Sequence, residues 1–202
     1  MLVLSFKDLP GKRSHKVKVR FEGGVDLCLY KKECSRFGIE EGIDFLEEDY
    51  ERLLSEVLIP RAKRRAMHLL EKQDRTRANL SQKLFESGYP YEAIEEALSY
   101  VESYHYIDDS RYAKNYVRYH QDRKSKKKIY EDLLKKGISK ELILAAIEEE
   151  YFASEEEMIL TLLDKRHYDP ETADFKEKSK IYRFLLGRGF RADDIDRILS
   201  KR

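Results

Sequence analysis

Tryptophan is absent from this 202-residue chain, proline occurs four times, glycine nine times and cysteine twice. So little glycine and proline excludes a collagen-like or low-complexity polymer. The two cysteines, Cys28 and Cys34, are too few for a disulfide scaffold and sit in neither CxxC nor zinc spacing. That usage points to a reduced, cytoplasmic protein. No apolar run approaches the roughly 20 residues that cross a bilayer, so no membrane association is expected. The start, MLVLSFKDLPGKRSHK, meets Pro10-Gly11 and basic residues before any long apolar stretch, and reads as a poor signal peptide. Chemistry is equally sparse. His15, His68, His105, His120 and His167 show no HExxH spacing, and there is no Walker A loop, GxGxxG or GxSxG. Gly187-Arg188-Gly189 is short and falls at a helix end. Neither a catalytic residue, a metal site nor a cofactor is expected.

What the chain has in excess is charge. Charged residues make up 39% of it against 41% apolar, and the charges nearly cancel to +1. The usual globular share of charge is about 25%, so the surplus implies much surface per residue, as in an extended helical protein. The average hides segregation. Between Glu40 and Glu56 eight acidic residues face only Arg52, and between Arg111 and Lys136 ten Lys or Arg face three acids. Separated blocks of opposite sign steer and orient a partner, although high charge also simply solvates helix faces.

Only the first thirty residues show a period of two. Lys16–Phe21 alternates, and Val25, Leu27 and Leu29 alternate again after Gly23-Gly24, which predicts a β-hairpin across a glycine turn, with Leu2, Leu4 and Phe6 as a third strand. Helical spacing takes over after Phe37-Gly38. It predicts a helix from Asp44 carrying Phe45, Leu46, Tyr50, Leu53, Leu54 and Val57, then another opened by Pro60.

Beyond Pro60 the chain repeats. Gly88, Gly137 and Gly189 lie 49 and 52 residues apart, near the roughly 20–50-residue range of helical repeats. Eight residues before each stands Leu80, Ile129 or Ile181; four before, Leu84, Leu133 or Leu185; six after, Ile94, Ile143 or Ile195. The spacing places one helix before the glycine, a left-handed cap at it and a second helix after it. An earlier helix in each unit carries Ala66 and Leu69, Ala113 and Val117, or Ile159 and Leu162. Asp108-Asp109 supplies an N-cap for the second unit, and the third carries extra residues from His167 to Phe175. The expected fold is therefore mainly α: three tandem three-helix repeats in an elongated, curved array, with a small N-terminal β-hairpin extension. The expected divisions are residues 1–45 for the extension, 46–105 for a helical lead-in with the first repeat, 106–152 for the second and 153–202 for the third.

The basic and aromatic residues are the remaining candidates for function. Lys114, Arg118, Tyr119 and Arg123 lead into Lys124, Lys126, Lys127 and Lys128, and Lys135 and Lys136 close the next helix. Arg61, Arg64 and Arg65 open the first repeat. Lys and Arg clusters with interleaved Tyr hold phosphates or the acidic surface of a protein.

Three stretches resemble a known family. Tyr106-Ile107-Asp108-Asp109-Ser110-Arg111-Tyr112-Ala113-Lys114-Asn115-Tyr116-Val117-Arg118 is similar to the acidic-turn, aromatic-Ala segment of the RecX regulatory family. Lys128-Ile129 leading to Leu133-Leu134-Lys135-Lys136-Gly137-Ile138-Ser139 resembles that family's next helix and Lys-Gly-Ile turn, and Leu185–Phe190 fits the corresponding turn of the last repeat. The resemblance spans about Pro60 to the C-terminus. It implies a monomeric, non-enzymatic cytoplasmic modulator that lies on the RecA–DNA filament and inhibits its extension, ATPase and strand exchange. Direct contact with single- or double-stranded DNA is expected to be weak. A sequence-nonspecific DNA-binding helical repeat protein is the alternative. The contact residues are assigned from charge, since the family is defined better by fold than by contacts.

Overall fold

The computed structural model describes residues 1–9, 15–169 and 171–201. The Pro10-Gly11 pair and Pro170, within the extra segment of the third repeat, lie outside them. Three strands, β1 (Val3–Asp8), β2 (Lys16–Phe21) and β3 (Asp26–Tyr30), form an antiparallel sheet in chain order. Val17 pairs with Leu29 and Val19 with Leu27, as the alternation requires. Both pairs are buried, along with Phe21. In β1 the pairing shifts between Val3 and Ser5, so that Val3 is buried while Leu4 is exposed.

A short helix missed by the periodicity follows directly, α1 (Lys31–Phe37), closed by Gly38 in the left-handed conformation. The helix expected from Asp44 starts later, as α2 (Glu47–Leu53). Asp44 bridges Leu2 and takes the N-terminal ammonium at 2.8 Å, while the Phe45 amide donates to the Met1 carbonyl. These contacts hold Asp44 and Phe45 extended against the sheet. Nor does Pro60 begin a new helix. A π turn, Leu54–Leu58, joins α2 to α3 (Ile59–Leu70), with the Ile59 amide donating to the Leu54 carbonyl five residues back. Proline lacks an N–H and crowds the carbonyl four residues before it, and the widened turn accommodates both defects.

The remaining helices are α4 (Arg77–Glu86), α5 (Tyr91–Ser103), α6 (Asp109–His120), α7 (Lys126–Lys135), α8 (Lys140–Glu150), α9 (Glu155–Asp164), α10 (Phe175–Gly187) and α11 (Ala192–Lys201). They fall into three triplets, α3–α5, α6–α8 and α9–α11, and in each the first helix packs on the third. The second helix of every triplet starts from a capping side chain. Thr76, Ser125 and Asp174 each accept from the amide three residues on. The turn glycines Gly88, Gly137 and Gly189 all hold positive φ, at 82°, 80° and 87°.

The chain divides into two compact units, Met1–Asp108 and Asp109–Arg202. In the first, the sheet, α1 and the first triplet share one core, running from Val3 through Leu53 and Leu84 to Val101. In the second, the other two triplets share another, built around Val117, Leu133, Ile159 and Leu185. Among the described residues no helix is long and apolar enough to cross a membrane.

Candidate functional site

Helix α6 turns Ala113 and Val117 into the core of the second unit, and Tyr112 and Tyr116 flank them, half-buried. The Tyr116 hydroxyl donates to Asp132 on α7 at 3.1 Å. Lys124 donates to that carboxylate at 2.8 Å and to the Tyr116 hydroxyl at 2.9 Å, while Lys128 reaches the other carboxylate oxygen at 3.1 Å. Lys136 lies over the Tyr112 and Tyr116 rings at 5.7 and 5.5 Å. Burial alone would raise the Asp132 carboxyl, but Lys124, Lys128 and Tyr116 together hold it below the ordinary aspartate value. His120, its ring tilted against Tyr116 at 4.2 Å, is pushed down by burial and then by Lys124. Three of the candidate lysines, Lys124, Lys128 and Lys136, thus turn onto an internal network centred on Asp132. Sequence reasoning missed Asp132 as a hub; its spacing of four residues from Lys128 was the available signal.

The outer side of α6 is neutralised by the end of α8. Arg118 grips Glu150 through two nitrogens, and Lys114 pairs with Glu149. Of the candidate cations in this domain, Arg123, Lys126, Lys127 and Lys135 are exposed and enter no ion pair among the described residues. Lys126 spreads over the Tyr151 ring at 5.2 Å while its amide donates to Glu155. Arg123 stands 5.9 Å from the ring of Tyr119, which is 69% exposed. Four such cations, with Arg123 beside a solvent-facing tyrosine, can meet phosphates or carboxylates and lose little internal pairing in doing so.

The basic stretch of the first unit divides in the same way. Arg61 is largely buried, donating to the Cys28 carbonyl at 3.1 Å, pairing with Glu33 and lying over Tyr30. It clamps α3 to β3 and α1. Arg64 is exposed and Arg65 half-buried, and neither enters an ion pair among the described residues. The acidic block is partly answered nearby: Glu56 pairs with Arg36 and Arg52, and Asp49 with Arg52. Cys34 is no reactive thiol, since burial and then Glu33 push it up to about 11.

Family models of the first, second and third RecX three-helix domains match residues 62–100, 108–147 and 154–199. The chain belongs to the RecX family. Among RecX relatives, the regulatory protein RecX of Caldanaerobacter subterraneus subsp. tengcongensis is 30% identical over 94% of either chain. That of Clostridium acetobutylicum is 30% identical over 94% of this chain and 91% of its own. The crystal structure of RecX from Lactobacillus salivarius is 28% identical, covers 71% of this chain and 96% of its own, and superimposes with a TM-score of 0.58. A second RecX crystal structure shares the fold over 100% of this chain, at 22% identity and a TM-score of 0.60. The triplets α3–α5, α6–α8 and α9–α11 are therefore the three RecX domains in order, and the relatives are named as regulatory proteins.

Proposed function

We propose that this chain is a regulator of the RecA recombinase, binding the RecA–DNA filament and inhibiting its extension, ATP turnover and strand exchange. Membership of the RecX family supports the reading. The observation that carries it is the set of exposed cations of the second three-helix domain that enter no ion pair among the described residues, Arg123, Lys126, Lys127 and Lys135, with Arg123 beside exposed Tyr119. Such a surface suits an acidic polymer or a protein face rather than a small substrate. Tandem domains also allow several weak contacts to add up along a repetitive partner. The test is the ATPase of RecA on single-stranded DNA across a titration of the full chain. Suppression at substoichiometric protein is expected. Unchanged ATPase and strand exchange at excess protein would refute the reading.

A further inference from the structure

The turn that ends α10 docks on the start of α7. The Ser125 amide donates to the Arg188 carbonyl at 3.1 Å, and a Cβ placed on Gly189 would lie 2.5 Å from the Lys128 Cβ. This docking carries the Arg188 side chain to the α6–α7 loop, where one terminal nitrogen donates to the Arg123 carbonyl at 2.7 Å. The Arg188 Nε is buried and has no acceptor. Its guanidinium lies 4.6 Å from the Phe184 ring, and that of Arg166, just past the end of α9, lies 3.7 Å from the same ring. Arg188 thus shares one ring with Arg166 and holds the backbone of Arg123, whose guanidinium lies by Tyr119, and among the described residues none of the three arginines enters an ion pair.

A solvated helix face does not look like this. Long cations on such a face point apart, whereas these are gathered by a backbone docking contact and a shared ring. Like charges held together oppose folding unless an anion answers them. The Arg188 guanidinium registers the conflict: burial, then Arg166 and Arg123, lower its proton affinity from the ordinary arginine value.

We propose that Arg123, Arg166 and Arg188 form a phosphate-binding site that takes the sugar–phosphate backbone of single-stranded DNA. The guanidinium fork matches phosphate oxygens, and three guanidinium groups that enter no ion pair among the described residues suit an anion that offers several acceptors, although Asp174 and Glu177 line the same pocket as Arg166. Arg188 is already anchored, so binding orders few rotamers. Phe184 is occupied by guanidinium groups, so the exposed ring at the site is Tyr119, 5.9 Å from the Arg123 guanidinium. The arginines therefore grip backbone without reading base edges, and Tyr119 adds only a sequence-tolerant stacking face. Neither Arg166 nor Arg188 stood out in the sequence as a contact residue. The inference goes beyond the regulator reading and stands without it.

The experiment measures the affinity of the full chain for a fluorescent oligothymidylate, without recombinase, across a salt titration. Arg166→Gln is the main variant, because Arg166 is exposed and its ring contact is dispensable to the core. It should weaken binding severalfold and flatten the salt slope by about 0.7 per lost phosphate contact. Arg188→Gln should act in the same direction with helicity unchanged, and if it unfolds, Arg123→Gln takes its place. Lys165→Gln, next to the cluster, should keep the wild-type slope. Wild-type affinity and slope in both Arg166→Gln and Arg123→Gln would overturn the site. So would variants that lose filament binding yet keep DNA affinity, which would assign the cluster to an acidic protein surface. A null result in the ATPase titration with the DNA slope intact would remove the regulator reading alone.

Discussion

Asp132 separates the lysines of the second domain that serve the fold from those left facing solvent. Its side chain is 16% exposed and accepts from Tyr116, Lys124 and Lys128. Asp132→Asn should destabilise the second unit by about 1–3 kcal/mol, because it leaves two half-buried ammonium groups without their counter-charge. Thermal denaturation checks this. The sign with pH follows from the depressed carboxyl. The stabilisation is full above the unfolded aspartate value, about 3.9, and is lost as pH falls through the folded value below it. Wild-type stability should therefore drop in that acid window, and the variant should show a shallower drop there. Leu133, the neighbour that turns inward and is fully buried, should cost about 2–5 kcal/mol on truncation to alanine. Leu133 was legible from its place four residues before the turn glycine. Asp132 was not, because apolar spacing shows which face is buried and says nothing of which charges meet behind it.

At the scale of elements, two turn glycines do more than end helices. A Cβ on Gly88 would meet the Cys28 Cβ at 2.7 Å, and one on Gly189 would meet the Ser125 Oγ at 2.5 Å. The first repeat thereby docks on the sheet and the third on the second. Gly88→Ala and Gly189→Ala should each cost about 1–3 kcal/mol from the left-handed backbone, with a further loss from the clash. Urea denaturation should show the loss, and a variant as stable as wild type would mean the turn stands off its neighbour. The triplet pattern was readable because each helix of ten or more residues repeats its apolar positions several times. The α1 helix has seven residues, too few to establish a period, and directly adjoins β3. The α2–α3 junction misled for another reason: proline marks helix starts statistically, and only tertiary contacts show when it sits within a continuous helical run.

For the whole molecule, the three-helix domains and the N-terminal sheet could be read from residues, whereas the candidate surface could be read only in part. Charge clustering found Lys124 through Lys128 as a block, but the block splits into inward and outward members. The split makes opposite demands on two variants. Reversing Lys126, Lys127 and Lys135 to Glu should weaken association with the RecA–DNA filament while circular dichroism and melting temperature stay near wild type. Reversing Lys124 and Lys128 should lower the melting temperature first, because it confronts Asp132 with like charge. If both sets behaved alike in melting and in filament binding, the internal network would be irrelevant to how the surface is organised.

The π turn ahead of Pro60 has a consequence for the register of the first unit. Buried positions run Leu58, Ala62, Ala66 in steps of four, but the step from Leu53 to Leu58 is five. One surplus residue thus resets the angular phase of the helical rod by about 100°, so the apolar stripes of α2 and α3 point to a common side. Excising exposed Ser55 would rotate Tyr50 and Leu53 away from that side and free α2 from its seat, even though no interior atom had been deleted.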